Sequence, residues 1–322
     1  MKIFNKKNLY ILSFLVIIIA IYLIYYFLHK SNKKNNVNSD ISSPKKSIEI
    51  IISRYNEDLK WTLEYPFNKY KYIVYNKGDN DEYEKTNVIS SINLINQGKC
   101  DHTYLYHMYH HYYQLSDIVV FLPGCLNENY FKVEKAKLVL ELIEIHNEAF
   151  FIADYKSNNN ILDDIYYFKL DNYKSMSKAN LEKNDDVTFR KSKIRPFGKW
   201  YKNNFDYNIQ HISLFGIFSL SKIDIHNHNK SVYFKYMRSL EGAVNDELSH
   251  YFERSWEAIV YPMKNTYILN YTNVVTNLIF FYFIKYSKYK KNEYSLDQKS
   301  IKVGPTYWDI VYFVNRYTHL PI

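Results

Sequence analysis

IEIIISRYNED, residues 48–58, decides how the rest of the chain is read. Ile48, Ile50, Ile51 and Ile52 form a short β-branched run interrupted only by Glu49, the pattern of a strand buried in a parallel sheet. Glu49 must then face an edge or solvent. The run stops abruptly at Arg54, Asn56, Glu57 and Asp58, a guanidinium, an amide and two carboxylates within little more than one turn. Two readings compete. The strand delivers a binding site at its carboxyl end, or Asn56 or Asp58 caps a helix running on to Thr62.

The segments downstream favour the first reading. YKYIVYN (70–76) and DIVVFL (117–122) are further strands, closed by Lys77-Gly78 and Pro123-Gly124, and HTYLYHMYHHYYQL (102–115) and FKVEKAKLVLELIEIH (131–146) have helical spacing. AFFIAD (149–154) and HISLFGIFSLS (211–221) are strand-like, whereas SVYFKYMRSL (231–240) and ELSHYFERSWEAIVY (247–261) are helical. Strands alternating with helices predict an α/β domain with a mainly parallel sheet. Ligands of such sheets bind beyond the carboxyl ends of the strands, where three polar or turn clusters fall here. Residues 156–193 read as an irregular insertion.

Charge is unevenly spread. Residues 1–46 carry eight lysines against Asp40, a net +7, which leaves only +2 of the total +9 for the other 276 residues. That body has no electrostatic footprint for nucleic acid. Residues 9–28, LYILSFLVIIIAIYLIYYFL, hold no charge and are long enough to cross a bilayer as a helix. They predict a single-pass anchor behind an eight-residue tail, with a flexible stem over 29–47 and the body on the lumenal side. The flanking lysines suit anionic headgroups. The stretch 274–286 is too short to span comfortably.

Cys100 and Cys125 are too few for a disulfide scaffold or a zinc cage, and sequence leaves open whether they form one bridge or two thiols. Cys100, His102, His107, His110 and His111 invite a metal, but no acidic or cysteine pair at ligand spacing accompanies them. His107 and His111 share a helix face. His250, Glu253 and Arg254, at i, i+3 and i+4, are a candidate catalytic group in which Glu253 acts as base toward a hydroxyl and Arg254 orients it. The bland alternative is a salt-bridged helix face. Only six residues are arginine against 36 lysines, and Arg54, Arg195 and Arg254 lie in dense polar–aromatic clusters where a planar fork is not replaceable by lysine.

ISRYNEDLKW, YIVYNKG, GKCDHTYLYHMYHHYYQLSDIVVFLPG, RPFGKWY, FGIFSLS and HYFERSW occur in the order of a domain-of-unknown-function family grouped with GT-A-type glycosyltransferases. Its members occur in fungi, algae and large DNA viruses, and the resemblance covers about residues 48–262. It implies a GT-A-like, Rossmann-like fold in a domain spanning 48–265, followed by a helical extension over 266–322. It also implies transfer of a sugar from a nucleotide-sugar donor to a hydroxyl of a glycan, protein or lipid. The donor-side residues it carries over are Arg54, Asn56, Glu57, Asp58, Asn76, Gly78, His102, Thr103 and Tyr104, with His250, Glu253 and Arg254 on the acceptor side. Mn²⁺ or Mg²⁺ is the cofactor such a fold implies. No Asp-x-Asp follows DIVVFL, so Asp154, Asp163 or Asp164 would hold the metal, or Arg and Lys would neutralise the leaving phosphate without one. A third outcome is a degenerate fold that binds glycans and does not catalyse.

Overall fold

The computed structural model describes residues 44–174, 189–270 and the backbone of 300–302. The predicted anchor, most of the stem and the stretch 274–286 lie outside these residues. Among the described residues no helix is long and apolar enough to cross a membrane. Every element below belongs to one compact unit within Lys45–Ile322.

In chain order, β1 (Ile48–Arg54), β2 (Tyr72–Asn76) and β3 (Val88–Asn93) precede α1 (Lys99–His110). Next come β4 (Ile118–Pro123), α2 (Tyr130–His146), β5 (Ala149–Ala153), β6 (Tyr155–Lys156) and the short helix α3 (Ile161–Ile165). After α4 (Phe197–Asn204), β7 (His211–Ile212) and β8 (Phe218–Ser221) come α5 (Lys222–Ile225), α6 (Lys230–Ser239), α7 (Glu247–Glu253) and α8 (Trp256–Ile259). β9 (Thr266–Asn270) and β10 (Ser300–Lys302) close the described chain.

The main sheet has the order β3-β2-β1-β4-β8. Its first four strands run parallel and β8 is antiparallel at the edge. Alternation along β1 divides the core. Ile51 faces α1 together with Tyr75, Val119 and Phe121, meeting Tyr104, Leu105 and Met108. Ile50 and Ile52 face α2 with Val74, Val120 and Leu122, meeting Leu138, Val139 and Ile143. Each fully buried isoleucine contributes about 1.5–3 kcal/mol over its exposed state, which explains why the run tolerates no polar residue on either face. Glu49 is the exception, and it sits near the start of β1, where its carboxylate accepts the Ser116 N–H at 2.9 Å and lies 3.4 Å from His107 Nε2.

A second parallel sheet, β10-β9-β5, abuts the first. The Ser219 hydroxyl joins them, accepting from Phe150 N at 2.7 Å and donating to Phe150 O at 3.1 Å. Thr266–Asn270 therefore extends a sheet, where a helical extension was expected; its register beside β5 decides this. Two other elements depart from the sequence pattern. HISLFGIFSLS breaks into β7 and β8 because Phe215 and Gly216 both adopt left-handed backbone, φ 67° and 65°. The predicted helix over 247–261 breaks into α7 and α8 at Arg254–Ser255, where the last turn tightens and Ser255 Oγ donates back to Tyr251 O at 2.9 Å.

Candidate functional site

From β1 the chain steps outward to β2 and β3, then returns to the far side of β1 as β4. In an open parallel sheet a reversal of this kind is where a ligand crevice forms, which here is beyond the carboxyl ends of β1 and β4. α1 departs from β3 and α2 from β4 at the same edge. The first turns of both helices therefore start at this edge, and Lys99 in the first turn of α1 reaches His250 of α7.

Arg54 ends β1 and is fully buried. Its Nε donates to Glu57 O at 2.7 Å, and its Nη1 donates to Asn76 Oδ1 and Asn80 O, both at 2.5 Å. The guanidinium lies 4.2 Å over the Tyr83 ring. Its Nη2 has no hydrogen-bond partner among the described residues. Glu57 Oε2 accepts the N–H of Tyr55 at 2.6 Å and of Asn56 at 3.2 Å, and burial pushes this carboxyl's pKa up. Two glycines permit the close approach. A Cβ on Gly78 would fall 1.5 Å from Tyr55 O, and one on Gly124 would fall 2.7 Å from Glu57 Oε2.

Three lysines crowd the neighbouring wall. Lys77, only 7% exposed, donates from Nζ to the carbonyls of Gln97 and Lys99, and burial pulls it down to about 8. Lys99 donates to His250 Nε2 at 2.7 Å and lies 3.8 Å over the Tyr173 ring. Lys132, in the first turn of α2, donates to Cys125 Sγ at 3.0 Å. Burial pushes the Cys125 thiol up, so this partner is neutral. Burial, with Lys99 and Arg254 adding to it, pulls His250 down to about 3, so this partner is neutral too. Lys135 and Arg254 differ, because each meets a carboxylate, Asp154 at 2.6 Å and Glu253 at 3.4 Å. Among the described residues Lys77, Lys99 and Lys132 meet none. Their charges rest on carbonyls, an imidazole, a sulfur and an aromatic face.

The acidic side is smaller. Glu253 Oε1 accepts the Phe215 N–H at 2.9 Å. Asp101, in the first turn of α1, accepts from Trp256 Nε1 at 2.8 Å. Burial, reinforced by the Glu253 charge, raises Asp101 to about 8 and keeps it protonated at neutral pH. Cys100 lies within electrostatic reach of Lys77, Asp101, Glu253 and Cys125, and its Sγ would sit 2.8 Å from a Cβ on Gly216. Both cysteines are free.

Of the residues singled out in the sequence, Arg54, Glu57, Asn76 and Gly78 meet at one end of this crevice, and His250, Glu253 and Arg254 at the other. Asn56 stays at the rim, accepting the Asn80 N–H at 3.3 Å. Asp58 is exposed and its carboxylate accepts the Lys60 N–H at 3.0 Å at the start of a single 3-10 turn, Lys60–Leu63, whose N-cap is Leu59. Thr103 is buried with its hydroxyl 2.9 Å from that of Ser53. Tyr104 belongs to the aromatic core beside Phe121 and donates to Gly216 O at 2.9 Å. His102 is buried beside Lys77, and burial takes it down to about 3. His107 and His111 stack at 4.7 Å, as their spacing predicts.

Sequence reasoning placed Lys77 in a turn cluster at the strand ends without giving it a role, and passed over Lys99, Asp101 and Lys132. The signal was present, since a helix that follows a parallel strand begins at the carboxyl edge, which makes the first turns of GKCD and NYFKVEK suspect.

A divalent cation of the kind a GT-A-like fold implies finds no fitting donor set here. Among the described residues no three His, Cys, Asp or Glu side chains converge for a metal. Asp154 is taken by Lys135 and by the Leu214 N–H at 2.6 Å. Asp163 and Asp164 lie exposed on α3, where Asp164 bonds Ser157 and Tyr155. Compared with family profiles, curated proteins and solved structures, the chain matches none.

Proposed function

We propose that the chain is a glycosyltransferase of GT-A-like fold, moving a sugar from a nucleotide-sugar donor to a hydroxyl acceptor beside a membrane. The observation that carries this reading is the gathering of Arg54 and Asn76, an unmatched set of lysines, and Glu253 along one crevice at the strand-order reversal of a parallel sheet. Arg54 and Asn76, bonded to each other and backed by Tyr83, form a buried polar floor beneath the donor end of the site. Glu253 supplies a carboxylate for the acceptor hydroxyl, held by the Phe215 N–H and Arg254. His250 is neutral and serves as the acceptor for Lys99, which makes it a positioning residue. The family resemblance over 48–262 points the same way.

Calorimetry on the full chain in detergent, with a panel of UDP- and GDP-sugars, tests the reading; hydrolysis or transfer of any donor supports it. Glu253→Gln should lower turnover by about a hundredfold or more while donor affinity holds. Unchanged turnover would remove Glu253 from the chemistry. A second reading, a glycan-binding component without activity, is favoured by one fact: both Glu253 oxygens already have partners. Donor or glycan binding with no turnover would select it.

A further inference from the structure

The fold that the proposed function invokes ordinarily sets a divalent cation against the donor diphosphate. This chain places lysines where that cation's carboxylate ligands are missing. We infer that Lys77, Lys99 and Lys132 balance the leaving diphosphate, so that the site takes diphosphate esters without a divalent metal; the inference rests on the nucleotide-sugar reading for its substrate.

A buried ammonium is tolerated when a counter-charge or strong acceptors replace water. Lys135, one helical turn beyond Lys132, obeys this with Asp154. Lys132 has a thiol, Lys99 an imidazole and a tyrosine face, and Lys77 two carbonyls. All of these hydrogen-bond partners are neutral, and among the described residues the carboxylates that act on the lysines, Glu57, Asp246, Glu253 and Glu128, do so from beyond ion-pair distance. The three side chains reach the crevice from different elements, the end of β2 and the first turns of α1 and α2, so no single helix terminus explains them. Arg54 repeats the pattern, a buried cation on amide and carbonyl oxygens with one nitrogen unpartnered. An arriving polyanion supplies the missing charge, and Lys132 gives up only a thiol contact to meet it.

The step balances without a metal. The acceptor oxygen forms a bond to the anomeric carbon, and its proton passes to Glu253. The bond from that carbon to the phosphate oxygen breaks, its electron pair staying on the oxygen. The diphosphate leaves with one more negative charge, which the ammonium groups meet.

Inorganic pyrophosphate, UDP and GDP are the probes, titrated calorimetrically into the full chain in detergent with EDTA or with Mn²⁺. Binding should persist in EDTA and change by less than about twofold with Mn²⁺. Lys99→Met and Lys132→Met, which keep most of the aliphatic stem, should each weaken it by about tenfold or more. Lys132→Arg, which keeps the charge, should retain most of it and guards against a variant that misfolds. Nucleotide binding that requires Mn²⁺, or lysine variants that bind like the parent, would overturn the inference and leave the transferase reading standing. Pyrophosphate binding in EDTA with no preference for any nucleotide would keep the lysines and remove the nucleotide sugar. Absence of binding under every condition would end both.

Discussion

The two edges of the central sheet treat charge in opposite ways. At the edge where the strands begin, charges meet charges or backbone donors: Lys46 pairs with Glu148, Asp117 takes the Ser47 N–H at 2.8 Å, and Glu49 holds the Ser116 N–H. At the edge where the strands end, Arg54, Lys77, Lys99 and Lys132 sit in partly or wholly buried places where, among the described residues, their hydrogen-bond partners are neutral and carboxylates act on them only from beyond ion-pair distance. The same strands, layers and apolar faces support both, so folding does not demand the second arrangement. An edge where, among the described residues, cations lack directly paired carboxylates suits a ligand that brings its own negative charge.

The contrast is sharpest within α2, where Lys132 and Lys135 are one turn apart. Lys135→Met should cost about 3–5 kcal/mol in chemical denaturation, because it strands the Asp154 carboxylate beside the core. Lys132→Met should stay within about 1 kcal/mol of the parent, since it strands only a thiol. If the two variants were equally destabilised, the distinction between a structural and a functional lysine would fail.

Gly78→Ala comes next. Its Cβ would enter the space of Tyr55 O, so the loops after β1 and β2 must part, at about 1–3 kcal/mol, with loss of nucleotide affinity. Retained affinity in a folded Gly78→Ala chain would show that the nucleotide does not sit against this pair of loops.

The smallest effect is a pH profile. Lys77 loses its proton near pH 8, and Asp101 ionises over the same interval. Each change lowers the net charge of the site by one unit, so pyrophosphate affinity, corrected for the ligand's own ionisation, should be level between about pH 6 and 7 and fall by about tenfold by pH 9. A profile flat through pH 9 would take Lys77 out of the site.

Much of this architecture was legible in the sequence, and the reasons differ by residue. Ile50–Ile52, Val119–Leu122 and the helix over 131–146 announce themselves because period and composition reflect burial directly. Arg54 and Glu57 were legible because they interrupt an apolar strand. The roles of Lys77, Lys99 and Lys132 were legible only from their place at the carboxyl edge, because in a lysine-rich chain nothing in the adjacent residues separates an ammonium facing water from an enclosed one. Tyr104 misled for the converse reason, as a residue in a suggestive motif can still be core. The strand at 266–270 was missed because its partner, β5, lies more than a hundred residues earlier.

The left-handed pair Phe215–Gly216 has one more consequence. The N–H of Leu214 clamps Asp154 and the N–H of Phe215 clamps Glu253. Two acids drawn from a strand end and a distant helix are thus gripped by adjoining peptide units, whose α-carbons stand about 3.8 Å apart by covalent geometry alone. Their spacing is gauged by the chain's own bonds, and it would persist even if the surrounding side chains were repacked.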